Sequence, residues 1–487
     1  MILKEILKDI PVVSFSGDDG LEILDIVHSS KSVVPGSLFV ALKGEKTDGM
    51  DFVRDAENGG AAAVLADRAR PADVRLAWIQ VPNARRAMGE ISAVFFGRPS
   101  DALTVIGITG TKGKTTTAYL LESIFKTAGF VPGVIGTIEY RGPGIRIEAA
   151  RTTPEAPDLQ RMMADMQRNG ATHVIMEVSS HALEQDRVHG THFDVALFTN
   201  LSGEHMDYHG SMENYFESKK KLFFLNHKRK ASVVNIDDPW GRKLFAELPM
   251  RAFGYGLGHE AVVRAENFQH TPKGLEVKLV FPGGRKVLSS SLVGRHNVQN
   301  ILAAAGAALA LEIPSEAVAA GIAALPGVPG RFEAVPNSRG LHIVVDYAHT
   351  DSALRHALET ARDFRPKRLI AVFGAGGNRD KSKRPRMGAV AAALADLSII
   401  TSDNPRREDP AAIIADIEAG FKEEAGSGYE IVVDRKEAIR RALSLARPDD
   451  FVIVAGKGHE NTQTIGDRVL PFSDVDVIAE ILAEETS

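Results

Sequence analysis

Short apolar runs recur along the chain, and many of them end in a polar cluster followed by sequence with helical spacing. Up to about residue 100 the runs are "LFVAL" (38–42), "AAAVLA" (61–66) and "WIQV" (78–81), with helical stretches such as "NARRAMGEISAVFF" between them. From "ALTVIGITG" onward they are "THVIMEV" (172–178), "FDVALFTNL" (193–201) and "ASVVNID" (231–237). Strand-length runs alternating with helical sequence predict βαβ units and a parallel sheet. The stretch 261–293 alternates apolar and polar residues and predicts added antiparallel strands. "LPGVPGRFE" (325–333) predicts a linker. Beyond it the rhythm returns in "LHIVVDYA" (341–348), "RLIAVFGAGG" (368–377), "LSIITSDNP" (397–405) and "FVIVAGKGHE" (451–460). In "EDPAAIIADIEAGF" a helix starts, with Asp409 as N-cap and Pro410 in its first turn. The expected architecture is α/β in three domains, 1–100, 101–330 and 331–487.

In the second and third blocks the β runs end in TGTKGKT, EVSSH, NLSGEH, DYAHT, GAGGNRD, SDNPR and GKGHE. Ligands of open parallel sheets bind beyond the carboxyl ends of strands. A turn with caps explains any one of these clusters, but not all seven. The site is expected where they converge.

At 487 residues the chain exceeds what one hydrophobic core holds, which fits several domains. A net charge of −5 speaks against a general nucleic-acid binder. The absence of cysteine excludes disulfides, thiolate catalysis and cysteine-ligated metals. The N-terminal "MILKEILKDIPVVSFSGDDG" is broken by charges and does not read as a signal peptide. No apolar run approaches membrane-spanning length, so a cytoplasmic protein without membrane insertion is expected.

The most specific local signal is "VIGITGTKGKTTTAYLLESI" (105–124). A phosphate cradle needs glycines for close backbone approach, amides aimed at the anion, a lysine and a hydroxyl for Mg²⁺. Gly110, Thr111, Lys112, Gly113, Lys114, Thr115 and Thr116 supply these at the start of a helix. The usual P-loop spelling puts a glycine at position 108, where this chain has isoleucine.

The spelling GxTGTxGKTT resembles the ATP loop of the Mur ligases and the related folylpolyglutamate synthetases. "MEVSSHALEQDRV" (176–188), "TNLSGEHMDYHGSMENYFESKKKLFF" (199–224), "GRHNVQNILAA" (294–304), "GRFE" (330–333) and "VVDYAHT" (344–350) extend the resemblance to Mur ligases over nearly the whole chain. "FGAGGNRDKSKRP" (373–385), "SDNPRREDP" (402–410) and "GKGHE" (456–460) are similar to the branch that adds the third residue of the peptidoglycan stem peptide. The resemblance implies a central P-loop-type ATP domain, a smaller N-terminal α/β domain for the UDP substrate and a C-terminal Rossmann-like domain for the amino acid. It also implies a reaction in which a substrate carboxylate takes the γ-phosphoryl of ATP and an amine displaces phosphate from the acyl phosphate. The substrates would be UDP-N-acetylmuramoyl-L-alanyl-D-glutamate and meso-diaminopimelate, acted on by a monomer.

Carried onto this chain, Lys114 would hold phosphates, with Thr115, Glu177, His205 and Lys219 as ligands of two Mg²⁺ ions. Lys219, in "SKKKLFF", takes the place of a lysine that is carbamylated in the family. Asn300, Arg331 and Asp346 match adenosine contacts; His349 belongs to the same block with its role open. Thr152, Thr153, Ser179, Gln185 and Arg187 match the motifs for the UDP-sugar peptide. Ser30 takes the place of the serine in the family's DSR pattern, but Ser29 and Lys31 replace its Asp and Arg, so the uridine contacts stay open. Arg379, Asp403, Asn404, Pro405, Arg406, Gly456 and Glu460 resemble the set for meso-diaminopimelate, with Arg406 as a fork for the distal carboxylate. The rival readings are a lysine-adding enzyme of the same step and a nucleotide-binding regulator that has lost catalysis.

Overall fold

The structure, a computed structural model, describes every residue except 45–46, 226–230, 249–251, 425–427 and 485–487. The chain divides into two compact units. One is 1–264 with 280–284 and 299–321; the other is 265–279, 285–298 and 322–487.

In the first unit the early apolar runs pair into a five-stranded sheet of β1 (Ser14–Ser16), β2 (Asp25–Val27), β3 (Ser37–Val40), β4 (Ala63–Ala66) and β5 (Ala77–Gln80). The order is β1-β5-β4-β3-β2, parallel except for the edge strand β1. Every residue of β3 and β4 is buried, which is why these strands read as continuous apolar runs. Helix Ala84–Phe95 starts at Asn83, whose side chain accepts from the Arg86 amide. Its Ala84, Ala87, Met88 and Ile91 pack into the core of this sheet.

The second sheet holds β6 (Thr104–Thr109), β7 (Pro132–Ile135), β8 (Glu139–Gly142), β9 (Ile145–Glu148), β10 (His173–Glu177), β11 (Val195–Phe198), β12 (Ala231–Asn235) and β13 (Ala252–Gly256). Its order is β13-β12-β11-β6-β10-β7-β8-β9, parallel from β13 to β7. From β6 the chain builds β7 and β10 on one side, then crosses to β11 on the other. The carboxyl ends of β6, β10 and β11 therefore meet at a reversal of strand order, where α/β sheets bind ligands. The alternating stretch forms β14 (Val263–Thr271), β15 (Gly274–Phe281) and β16 (Gly284–Ser290), joined by two-residue turns that only antiparallel neighbours allow.

The second unit is built on β17 (Glu333–Ala334), β18 (His342–Asp346), β19 (Leu369–Phe373), β20 (Leu397–Ile400), β21 (Gly428–Ile431) and β22 (Phe451–Ala455). The order is β17-β18-β22-β19-β20-β21, parallel except for β17. A hairpin of β23 (Thr462–Ile465) and β24 (Arg468–Pro471) follows β22. The seven polar strand ends thus form two groups, three in the first unit and four in the second. The stretch 325–333 differs from an exposed linker: Val328, Gly330 and Phe332 are buried. Asp409 caps helix Pro410–Glu423 by accepting from the Ala411 amide, as its sequence implied.

That helix crosses helix Lys383–Leu394 through reciprocal glycines. A Cβ on Gly388 would lie 2.0 Å from the Ile417 carbonyl oxygen, and one on Gly420 1.9 Å from that of Pro385. Gly420→Ala should therefore destabilise the second unit by about 1–3 kcal/mol, read by calorimetry as a lowered unfolding temperature. An unchanged transition would mean that the helices are not in this contact.

Candidate active site

In the first unit, β6 passes into helix Lys114–Thr127 through the loop 110–113. Gly110 (φ 142°) and Gly113 (φ 87°) take left-handed conformations that favour glycine. The segment after β11 holds the loop. Asn200 accepts from the amides of Thr111, through its carbonyl, and Lys112, through Oδ1, both at 2.9 Å. Thr199 Oγ1 donates to the Lys112 carbonyl at 2.7 Å. A Cβ on Gly113 would sit 2.3 Å from Asn300 Oδ1, so this residue borders the loop. Thr116 is buried in the first helical turn.

Two lysines converge on one carbonyl. Lys114 Nζ donates to the Gly110 oxygen at 2.9 Å and to that of Thr111 at 2.9 Å. Lys219 Nζ, on helix Met212–Lys220, donates to the same Gly110 oxygen at 2.8 Å. Lys219 is 1% exposed. Burial, and secondly the charge of Lys114, hold its amine well below the usual lysine range. Of the lysines in "SKKKLFF", Lys221 is partly exposed and pairs with Glu184, whereas Lys219 is buried.

Glu177, at the end of β10, is the node of the next group. Its Oε2 accepts from the Thr115 and Thr137 hydroxyls, each at 3.0 Å, and its Oε1 from the Thr137 amide at 3.0 Å. The Glu177 carbonyl accepts from Thr153 Oγ1 at 2.8 Å, which in turn accepts from the Ser179 amide at 3.1 Å. Arg187 donates to the Thr153 carbonyl and to Gln185, and forms an ion pair with Glu155. Thr152, Thr153, Ser179, Gln185 and Arg187 are therefore brought together. Ser30 opens the short turn Ser30–Ser32 in the N-terminal part of the unit.

These donors suit a hard cation. Glu177 is buried, and among the described residues no lysine or arginine forms an ion pair with it. The single proton of Thr115 goes to Glu177, which leaves only lone pairs on that hydroxyl for a ligand. Among the described residues no group of three or more His, Asp or Glu side chains is poised to hold a metal. Any ion here depends on hydroxyl and ligand oxygens as well. His205 has a left-handed backbone (φ 58°) and its ring meets that of His181 edge-on at 4.9 Å. Burial, followed by His181, Lys219 and Lys114, pushes its pKa down to about 4, so the ring is neutral and able to ligate.

In the second unit, the polar ends of β18, β19, β20 and β22 assemble a second group. Asp346 Oδ2 accepts from the Phe332 amide at 2.8 Å, which ties it to the Arg331 segment. The Arg331 guanidinium lies 5.0 Å from the centre of the Tyr347 ring, against which His349 and His459 also pack. Asn404 Nδ2 donates to Glu460 at 2.7 Å, while Asn404 Oδ1 accepts from the Thr464 amide at 2.9 Å. Asp403 is buried, and its Oδ2 has no hydrogen-bond partner among the described residues. A Cβ on Gly456 would come within 2.4 Å of that oxygen, so the glycine leaves it room. Pro405 leads into Arg406, which is half-buried with φ 53° and donates from one terminal nitrogen to the Gly377 carbonyl at 2.9 Å. Arg379, exposed, flanks Gly376 together with Arg406.

Three contributors went unrecognised in the sequence. Thr137 follows β7 in an unremarkable "IGT" and gives no motif signal. Lys457, inside GKGHE, is fully buried and donates to Asn404, Glu460 and the Thr462 carbonyl. Arg435 forms a fully buried pair with Asp474 and donates to the Ala455 carbonyl, which braces the end of β22. Lys457 was accessible to reasoning from its motif, whereas the Arg435–Asp474 pair needed the fold.

His459 gives the site an acid limit. Burial, then Arg331 and His349, lower its pKa to about 4, against about 6.5 when unfolded. Below pH 6.5 the unfolded chain binds a proton that the folded one refuses, so stability is lost as pH falls toward 4. In urea unfolding between pH 7 and 4.5, His459→Gln should lose stability less steeply than wild type. Parallel slopes would remove His459 from the acid response.

Comparison with known proteins gives the geometry its family. Residues 22–96 match the model of the Mur ligase family, catalytic domain; 108–308 that of the Mur ligase middle domain; and 330–458 that of the Mur ligase, glutamate ligase domain. A UDP-N-acetylmuramoyl-L-alanyl-D-glutamate--2,6-diaminopimelate ligase from Solibacter usitatus is 45% identical over 463 residues, covering 95% of this chain and 94% of the relative. One of the same name from Geobacter metallireducens is 43% identical over 507 residues, covering 100% and 99%. A solved structure of that name has a TM-score of 0.74 at 31% identity, covering 100% of this chain and 99% of the other. At 19% identity, a structure of a UDP-N-acetylmuramoylalanyl-D-glutamyl-2,6-diaminopimelate--D-alanyl-D-alanyl ligase from Acinetobacter baumannii, covering 95% and 93% at a TM-score of 0.63, shares the fold. The chain belongs to the Mur ligase family of ATP-dependent, amide-forming ligases, with that family's three-domain α/β fold.

Proposed function

We propose that this chain joins meso-diaminopimelate to UDP-N-acetylmuramoyl-L-alanyl-D-glutamate at the expense of ATP, as a cytoplasmic monomer in peptidoglycan precursor synthesis. The ligase chemistry is carried by one observation, the convergence of Lys114 and Lys219 on the Gly110 carbonyl beside the Thr115–Glu177 pair. In phosphoryl transfer the protein mainly positions groups and neutralises charge. Lys114 and the loop amides hold the phosphates, with Asn300 beside the loop in the first unit; Arg331 and Asp346, in the second unit, are the further adenosine contacts that the family implies. Thr115, Glu177, His205 and Lys219 would hold Mg²⁺ at two sites, and the ions when bound neutralise phosphate and carboxylate charge. Thr152, Ser179, Gln185 and Arg187 bind the UDP-sugar peptide. The N-terminal domain, 1–100, binds its uridine end near Ser30; 101–330 binds ATP, and 331–487 the amino acid.

Carbamylation of Lys219 is favoured by its burial beside Lys114, which pushes its amine toward the uncharged form. Only an uncharged amine attacks CO₂; the new N–C bond forms as the amine releases one proton, and a carboxylate-like anion results. The carbamate keeps one N–H, which still donates to the Gly110 carbonyl, and it supplies oxygens for a metal. It also places an anion beside the Lys114 ammonium, where a second cation would be repelled.

The amino acid is chosen in the second unit. Arg406 would pair the distal carboxylate of diaminopimelate, while Asp403 and Glu460 would receive its distal ammonium and Asn404 would hold Glu460 in place. L-Lysine lacks that carboxylate, and leaving Arg406 unpaired costs about 2–5 kcal/mol. This is more than about tenfold in specificity constant.

Phosphate release from ATP with UDP-N-acetylmuramoyl dipeptide should depend on added meso-diaminopimelate, with L-lysine much poorer. An absence of phosphate release would favour a regulator, and equal use of lysine would defeat the specificity. Arg406→Ala should raise the Michaelis constant for diaminopimelate, and Arg406→Lys should recover little because the fork is lost. Lys219→Ala should lose most turnover without rescue by bicarbonate. Near-normal turnover in that variant would remove Lys219 from the mechanism.

A further inference from the structure

Thr137 stands between two halves of the first unit's site. Its hydroxyl lies 3.0 Å from Glu177 Oε2 and 3.2 Å from the Thr152 hydroxyl. A hydroxyl carries one proton, and a carboxylate oxygen accepts. The Thr137 proton therefore goes to Glu177, and the second contact requires Thr152 to donate to Thr137. The Thr152 proton is then committed too, and its oxygen meets a ligand as an acceptor. Thr153 is committed in the same sense, since it donates to the Glu177 carbonyl and accepts from the Ser179 amide. Glu177 cannot easily turn away from this arrangement. The Thr137 amide takes its other oxygen, and a Cβ on Gly136 would lie 2.5 Å from it, so the carboxylate rests against bare backbone.

We infer that Thr137 is a positioning residue that fixes Glu177 for a metal and sets Thr152 to accept from an amide N–H of the UDP-sugar peptide. This rests on the ligase reading above, and it narrows what Thr152 recognises. A hydroxyl whose proton is already engaged does not donate to a carboxylate or pyrophosphate, whereas the acetamido and peptide groups of such a substrate each offer an N–H. The same hydroxyl thus couples the cation seat to the peptide seat through Thr115–Glu177–Thr137–Thr152.

The test uses the full chain and three variants. Thr137→Val keeps the shape and the backbone amide but removes the hydroxyl; Thr137→Ser restores it; Thr152→Val removes only the far end. Mn²⁺ binding in the presence of ADP, followed by electron paramagnetic resonance, reads the cation seat without turnover. Thr137→Val should weaken Mn²⁺ by at least about tenfold, the usual effect of losing a group that orients a metal ligand. It should lower kcat while leaving the Michaelis constant for ATP nearly unchanged, and Thr137→Ser should recover most of both losses. Thr152→Val should leave Mn²⁺ binding unchanged and raise the Michaelis constant for the UDP-sugar peptide. Among substrate analogues N-methylated at one amide each, one should bind worse than the parent to wild type yet no worse to Thr152→Val. Wild-type Mn²⁺ affinity in Thr137→Val overturns the positioning role, and if valine prevents folding, Thr137→Ala carries the same expectation. Analogues that all affect wild type and Thr152→Val alike overturn the acceptor assignment. A wild-type chain without amino-acid-dependent phosphate release defeats the ligase reading instead, and the Mn²⁺ comparison is independent of it.

Discussion

The carbonyl oxygen of Gly110 accepts from two lysines, and much of the first unit's chemistry depends on that shared acceptor. Two ammonium groups on one oxygen repel, and the repulsion falls on the partner with less access to water. Lys114 also donates to the Thr111 carbonyl and stays with the phosphate loop, whereas Lys219 is 1% exposed and is pushed toward its neutral form. A lysine buried beside a cation serves poorly as a charge anchor, but its neutral amine is a good nucleophile. The left-handed conformation of Gly110 turns its carbonyl to this position, and a Cβ there would strike Thr199 Oγ1 at 1.9 Å. A glycine, a buried amine and an ATP loop are thereby parts of one arrangement.

The second unit solves a related problem with the opposite means. There the buried charges are paired: Arg435 with Asp474, and Lys457 with Glu460 and the Asn404 side-chain oxygen. Such pairs contribute little net stability, yet breaking one leaves an uncompensated buried charge. Their consequence here is geometric. Lys457 and the Thr464 amide occupy the Asn404 oxygen, so its amide nitrogen must face Glu460. The β23–β24 hairpin contributes to this group, because Gln463 donates to the Asp403 carbonyl and the Arg406 amide donates to the Thr464 carbonyl. The loop that presents Arg406 is thus fixed from the chain beyond GKGHE, some sixty residues away in sequence.

Much of this was legible in the sequence. Apolar runs ending in polar clusters located the strands and the edges that carry ligands, because parallel strands buried on both faces leave an unmistakable pattern. Gly110, Gly113 and Asp409 were readable since each performs a local backbone task. What the sequence hid depends on distant pairing. Thr137 matters only because β7 lies beside β10, which brings it to Glu177. Lys219 stands out from its two lysine neighbours only through the family resemblance, and its burial follows from helix Met212–Lys220 lying against the loop at Gly110. The "LPGVPGRFE" stretch has linker composition, but the buried Val328 and Phe332 draw it into the second unit.

Burial, and secondly the Lys114 cation that shares its Gly110 acceptor, push Lys219 toward the neutral amine that takes up CO₂ in the function proposed above. Carbon-13 NMR of the full-length protein equilibrated with ¹³C-bicarbonate tests this uptake most directly. A protein-bound carbamate resonance should appear, be lost in Lys219→Met and be retained in Lys221→Met. No bicarbonate-derived signal in the wild-type chain, or one that survives Lys219→Met, would contradict it.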